Sequence, residues 1–346
     1  MVLYLINQVA EIEFSWVPDM ADVVAPVYMG RAYQTMLSIN DASDARLLKC
    51  RAQSETSYLP MLIRDLGDGR KEAYSAYGYG GLFGNLTLHE AEADQLRCFL
   101  ASESILALFV RHSPFLSNHT QWPSGSTELN RYTYSADLQP SDSFETYLAG
   151  IPQKLRWSVN YARRAGLRVT FYPLADCSTD RVSAFYHLYS ELMHQKQTSA
   201  YYFFSEDFFV EHTLALHAHC ELAEIHDEEN GNLLAGAFFL LDETGWVHYH
   251  LSAATPIAMK LQGMELLMAS ALQRYGNSGY RKMHLGGGHA LDESDGLSRF
   301  KSKFSTERLD FFCTKLICDA AGYQCERAKI PLKNPAFFLI SDARGQ

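Results

Sequence analysis

Apolar and polar positions alternate, or recur at helical spacing, in a way that divides the chain into short strands and helices. Residues 59–63 read as an extended apolar run and residues 72–77 as its partner, with Gly67-Asp-Gly69 between them as a hairpin turn. Residues 90–109 carry apolar side chains at helical spacing. From 113 to 142 the pattern lapses into Pro114, Pro123, Gly125, Pro140 and several Ser and Thr, the composition of a connecting segment, so a domain boundary is expected near Pro140. Residues 144–165 predict a helix opened by Ser141 or Ser143, stopped by Gly166 and split or kinked at Pro152. A strand over 167–172 comes next, then helices over 180–196 and 206–219, then strands over 221–226, 233–241 and 246–252 joined by turn sequences at 229–232 and 242–245. A helix over 262–275, a strand over 280–285, a loop at Gly286-Gly-Gly288 and a last strand over 308–316 complete the series.

A chain of 346 residues is long for one core and fits two units, 1–140 and 141–346, each mixing strands and helices. With 47% apolar and aromatic residues and 20% charged, it has the material for packed cores and not the composition of a disordered protein. The first residues lack a basic stretch, and Asn7, Gln8, Glu11 and Glu13 interrupt their apolar run, so no signal peptide is expected. The longest apolar run, 233–241, is about half of what a membrane-spanning helix needs. Cysteines 50, 98, 177, 220, 313, 318 and 325 form no CxxC pair, which argues for reduced thiols in a cytoplasm and against a zinc knuckle or a disulfide framework. His217 and His219 lie two apart on a predicted helix and diverge, so no metal is expected. A formal charge of −10 argues against DNA and confines any RNA contact to a local basic patch.

The order helix, helix, three antiparallel strands, helix, strand, strand in the second unit resembles the GNAT acyltransferase fold. Two motifs narrow the likeness. Met283-His-Leu-Gly-Gly-Gly288, followed by the segment from Asp295 to Phe304 with Phe300, Lys301 and Phe304, resembles the LGGG and FKxxF signature of the FemAB-like transferases. The arginine-bearing stretch 155–169, ending Ala165-Gly-Leu-Arg-Val169, and the loop from Ala76 to Leu82 resemble two further elements of that branch. The resemblance implies tandem GNAT-like domains, the first degenerate, with a ligand cleft between them. It also implies transfer of an activated acyl or aminoacyl group to an amine in cell-wall, surface-glycan or natural-product biosynthesis. No cofactor would be bound tightly; aminoacyl-tRNA or acyl-CoA would serve as co-substrate, and a small or nucleotide-linked amine as acceptor. One departure stands out: the branch that acts on a lipid-linked cell-wall acceptor has an aspartate after its glycine loop, where Gly84-Asn85 stands here.

Attack of an amine on an ester or thioester builds negative charge on the carbonyl oxygen, which calls for a fixed cation or amide donors. The resemblance gives Lys301 that role, beside Phe300; the alternation of Arg299, Lys301 and Lys303 also fits a solvated edge. Gly286, Gly287 and Gly288 let backbone approach a ligand, and His284 and His289 flank them as titratable neighbours. Arg156, Asn160, Arg163 and Arg164 share a helix face, with Lys154 and Arg168 nearby, a patch suited to the phosphates of a nucleotide-linked acceptor or a tRNA acceptor stem. Tyr77, Tyr79, Gly80, Gly81 and Asn85 form the candidate binding loop of the first unit; Tyr249 and His250 alternate on a strand of the second, so they face opposite sides. Asp292, Glu293 and Asp295 are acidic neighbours of the glycine loop. Between 259 and 266 only Gln262-Gly263 matches a CoA pyrophosphate loop, and Glu265 adds negative charge there, which disfavours CoA in the second unit. An acyl-CoA-dependent N-acyltransferase and a non-catalytic tandem binding protein remain the competing readings.

Overall fold

The computed structural model describes residues 11–198, 202–228, 230–288, 291, 293–330 and 338–344. The chain forms two compact units, 1–130 with 310–346 and 131–309. A linear split at Pro140 therefore does not describe them: the boundary falls ten residues earlier, and the C-terminal segment returns to the first unit.

The first unit opens with β1 (Glu13–Trp16), α1 (Arg31–Asn40), β2 (Asp44–Ala52), β3 (Glu55–Gly67), β4 (Arg70–Tyr74) and the short β5 (Phe83–Gly84). Positive φ at Gly67, Asp68 and Gly69 turns β3 into β4, as the hairpin reading expects. α2 (Glu90–Ser102) ends sooner than its pattern predicts: Ser104 turns at φ 63°, and the apolar run after it is a buried strand, β6 (Ile105–Arg111). A buried strand and a buried helix turn give the same apolar run in sequence, which is why the two merge there.

The supposed connecting segment holds another strand, β7 (Thr127–Asp137). The second unit continues with α3 (Phe144–Gly150) and α4 (Gln153–Arg164), separated at Pro152, with Ser143 Oγ accepting from Thr146 N as the cap of α3. β8 (Val169–Pro173), α5 (Thr179–Gln195) and α6 (Glu206–Ala215) follow, then β9 (Cys220–His226), β10 (Leu233–Leu241) and β11 (Trp246–Ala254). α7 (Pro256–Lys260), α8 (Gly263–Asn277), β12 (Lys282–Gly287) and α9 (Gly296–Ser302) lead to β13 (Glu307–Ile317), α10 (Ala320–Ala328) and α11 (Ile340–Arg344).

Both units are built to one plan. The strand order is β1-β2-β3-β4-β6-β13 in the first and β8-β9-β10-β11-β12-β7 in the second. In each, one parallel pair, β4 with β6 and β11 with β12, interrupts antiparallel neighbours, and the crossover carries a helix, α2 or α8. The sixth strand comes from downstream in one unit and from upstream in the other, which no local pattern announces. In the second unit α4 and α8 cover one sheet face with Leu155, Val159, Leu267, Ala271 and Tyr275 against Val247, Phe239 and Leu285. α5 and α6 cover the other, where Phe185 lies 4.8 Å from Phe238 and 5.8 Å from Phe209 between ring centroids. Gly236 admits that contact, since a Cβ there would come within 2.8 Å of the Phe185 ring. No described helix is long and apolar enough to cross a membrane.

Candidate active site

The parallel pairing of β11 with β12 is brief. Residues 246–248 face 282–284, and past that point β11 runs on to Ala254 and β12 to Gly287 without pairing with each other. β11 also bulges: Phe238 faces Leu251 and Phe239 faces Tyr249, so His250 is the extra residue. The two strands thus part at a point framed by Tyr249, His250 and the glycines.

Lys301 reaches that point. Asp295 caps α9, its Oδ1 accepting from the amides of Leu297 and Ser298 at 2.9 and 3.0 Å and its Oδ2 from Ser298 Oγ at 2.8 Å. The helix so fixed turns Lys301 inward: the side chain is only 8% exposed, its Nζ donates to Gly287 O at 2.8 Å, and it stands 5.9 Å from the centre of the Tyr249 ring. Burial pushes its ammonium down to about 7, with Asp295 pulling it up and Arg131 pressing it further down. The segment is a helix and not an alternating solvated edge, so Lys301 points in while Arg299 and Lys303 do not share its place. Phe300 and Phe304 pack edge to face at 5.3 Å against the core beside it.

Each glycine of the triplet has its own reason. Gly286 adopts φ 74°. A Cβ on Gly287 would lie 2.6 Å from Tyr132 O, and one on Gly288 would lie 1.9 Å from Ser298 Oγ and 2.3 Å from Asp295 Oδ2. Gly286 and Gly287 are the last residues of β12 and not a free loop, and Arg131 Nη1 holds Gly288 O at 3.0 Å. Internal packing alone therefore demands glycine here. His289 and Asp292 lie outside the described residues.

Tyr249 and His250 face opposite sides, as alternation requires. Tyr249 packs 5.7 Å from Phe239 and its hydroxyl meets Ser252 Oγ at 2.6 Å, while His250 lies 5.6 Å from His212 of α6. His284, 1% exposed, pairs across the strands with His248, and burial, His248 and Lys301 together hold it well below the usual imidazole range. Strand alternation makes His248 legible as the companion of His250; its pairing with His284 is not, because register across a parallel crossover is set by tertiary packing.

The α4 arginines divide. Arg163 donates to Glu145 at 2.5 Å and to Asn160 at 3.2 Å and stacks 5.4 Å over Phe144, so it ties α4 to α3. Arg156 reaches Ala149 O at 3.3 Å, and Arg164 is exposed. In the first unit, Tyr77 O accepts from Tyr33 Oη at 2.9 Å, and Tyr79 stands edge-on to Tyr28, Phe115 and Phe311 at 5.5, 5.8 and 5.3 Å. Asn118 Nδ2 donates to Gly80 O and Leu82 O, and Gly81 takes φ 95° between them. Asn85 Oδ1 accepts from Thr56 N at 2.9 Å, which gives that residue a structural task at the end of β5. The second unit thus brings together Lys301, Phe300, the glycines and Tyr249, with His250 on the other face of β11 against His212; the tyrosine loop belongs to the first.

At the start of α8, Glu265 is largely buried and its Oε1 accepts from Lys303 Nζ at 2.7 Å. A carboxylate already occupies the electropositive first turn. Among the described residues no group of His, Cys, Asp and Glu is arranged to hold a metal.

Residues 153–302 match the family model described as an acetyltransferase (GNAT) domain. Among solved structures, FemX has the same fold at a TM-score of 0.60 and 12% identity, over 86% of this chain and 94% of that one. A tandem GNAT protein from the clavulanic acid biosynthesis pathway aligns at a TM-score of 0.51 and 10% identity, over 88% and 98%. No curated protein matches by sequence.

Proposed function

Taking as premise that residues 153–302 are a GNAT acyltransferase domain in a chain with the tandem fold of FemX, we propose that the protein joins an aminoacyl group carried on tRNA to an amine acceptor. The observation that carries this reading is Lys301, buried and held on Gly287 O where β11 and β12 part. In its charged form it faces the place where a carbonyl oxygen would gain charge as the amine attacks; a fixed donor in a water-poor site needs no reorganisation at that moment. The acceptor is an amine on a small or nucleotide-linked molecule in cell-wall, surface-glycan or natural-product synthesis. Arg156 and Arg164 supply cations for phosphates of the tRNA end. Glu265, paired with Lys303 in the first turn of α8, opposes a pyrophosphate there, which favours tRNA over CoA as carrier.

The test is transfer of radiolabelled amino acid from charged tRNA, with RNase digestion as control and Lys301→Ala as comparison. Label transfer that RNase abolishes and that falls about 10²–10³-fold in Lys301→Ala agrees with the reading. Transfer that survives RNase removes tRNA. The family model's description as an acetyltransferase domain favours a second reading, an acyl-CoA-dependent N-acyltransferase on an amino sugar or amino acid. Thermal shift with acetyl-CoA and longer acyl-CoAs separates the two, because a ligand at 100 times its Kd stabilises by about 2.7 kcal/mol.

A further inference from the structure

On the outward face of α4 two aromatic rings stand in a row of cations. Leu155, Val159 and Ala162 bury one side of the helix, so its period sends Lys154, Trp157, Tyr161 and Arg164, spaced i, i+3, i+7 and i+10, to the opposite side. Trp157 is 59% exposed, a large ring to leave in water. Its plane lies at 13° to that of Tyr161 with centroids 5.4 Å apart, and among the described residues no ring outside α4 meets either. Among those residues the side chains of Lys154 and Arg164 have no ion pair or hydrogen bond, whereas Arg163 on the neighbouring flank is tied to Glu145, and Arg168 beyond the helix lies 3.7 Å from Glu228. In a chain with 40 Asp and Glu against 30 Lys and Arg, cations left without carboxylates are complementary to an outside anion.

The row leads toward the candidate active site. Past Arg164 the chain turns at Gly166 into β8, where Val169 pairs with Ile225. Gly263, the first residue of α8, comes to the same place, since a Cβ on it would lie 3.4 Å from Ile225 Cδ1. In that turn of α8 Glu265 holds Lys303, which closes the helix that carries Lys301. Tyr249, beside Lys301, packs into the same core that α4 covers. Exposed rings offer a π-face to any base, and cations alternating with them suit the phosphates in between. Paired RNA keeps its bases inside the duplex, so such rings select an unpaired strand. A lipid surface calls instead for a broad apolar face that sinks among the acyl chains, and here Gln153 and Asn160 flank the two rings. We propose that this face of α4 is a stacking platform for the unpaired 3′ strand of the donor tRNA, with its bases on Trp157 and Tyr161, its phosphates on Lys154 and Arg164, and its aminoacyl end directed to Lys301. The proposal rests on the reading of the donor as aminoacyl-tRNA.

The experiment measures fluorescence anisotropy of a labelled single-stranded RNA of about ten nucleotides ending in CCA and of its duplex, co-sedimentation with vesicles of phosphatidylglycerol and phosphatidylcholine, and transfer from charged tRNA. The parent is compared with Trp157→Ala, Trp157→Phe and Arg164→Ala. The parent is expected to prefer the single strand. Trp157→Ala should weaken that binding, and raise KM for charged tRNA, by about 5–150-fold with kcat little changed, and Trp157→Phe should restore most of the loss. The salt slope of Trp157→Ala should match the parent's, while Arg164→Ala lowers it by about 0.7. A Trp157→Ala protein that binds the strand and uses charged tRNA as the parent does overturns the platform and leaves the transferase reading standing. Equal affinity for the duplex also overturns it, as does vesicle binding that needs Trp157 without any binding of RNA, which would make the face a membrane contact. A parent whose strand binding depends on Trp157 but that transfers nothing from charged tRNA keeps the strand-binding face and overturns the transferase reading. Should Trp157→Ala fail to fold, tryptophan emission decides: quenching by the strand must be present in the parent and lost in Trp157→Phe, and equal quenching in the two overturns the proposal.

Discussion

Lys301 trades stability for position. Its ammonium, near 10.5 in an unfolded chain, is held at about 7 when folded, so the folded state disfavours its charge. The sign follows: below about pH 7 both states bind the proton and the full penalty applies, and it is relieved as pH rises toward the unfolded value. Lys301→Met is therefore expected to be more stable than the parent at neutral pH by roughly 1–4 kcal/mol, after the lost Gly287 hydrogen bond is deducted. That advantage should shrink toward alkaline pH; urea midpoints at the two ends of the range measure it. Gly287 has the opposite character. A methyl there meets the Tyr132 carbonyl, which backbone pairing with Thr133 holds in place, so Gly287→Ala should cost about 1–3 kcal/mol in the same assay.

Among the elements, α4 is where one sequence feature serves two ends. Its arginines form one patch in a helical projection, yet the structure gives Arg163 to α3 through Glu145 and Phe144 and leaves Arg164 exposed. Arg163→Ala should lower stability by up to about 1 kcal/mol, since the pair is largely solvent-facing. Arg164→Ala should leave stability unchanged and reduce affinity for charged tRNA, with a shallower salt dependence. Paired thermal melts and filter binding at two salt concentrations distinguish these outcomes. The same comparison explains α9: alternation of Arg299, Lys301 and Lys303 fits a strand edge until the Asp295 cap selects a helix and sends one of the three inward.

At the scale of the whole molecule, the first unit is completed by a segment distant in sequence, 310–346. β13 pairs with β6, and Glu72, fully buried, accepts from Ile340 N at 2.8 Å and from Ser341 N at 3.3 Å. Removing 310–346 takes away a sheet strand and leaves that carboxylate without those amides. Limited proteolysis of the truncated chain is expected to degrade the first unit and spare a core beginning near residue 131. Acid acts on both units. Burial holds His212 at about 4 and His112 at about 3, both below the unfolded value of 6.5, so the unfolded chain takes up protons first. Their contribution is complete above about pH 6.5 and declines as pH falls, by up to ~1.4 kcal/mol per pH unit for each imidazole, levelling off at the folded values. Denaturation midpoints from neutral pH down to the acid range test this.

The sequence by itself determined most elements of the second unit, because its strands are short runs bounded by turns that carry Gly and Asn, and Pro152 and Gly166 stop helices whatever they pack against. It also marked Lys301, the triple glycine and His250 through local motif and alternation. Only the tertiary structure decided that residues 127–137 are a strand, that 105–111 leave the helix before them, and that the first unit takes its sixth strand, β13, from beyond the second unit. It likewise set His284 opposite His248 and Lys303 onto Glu265. Those facts depend on register and on pairing between distant segments, and hydrophobic periodicity, a property of neighbours in the chain, holds no information about either.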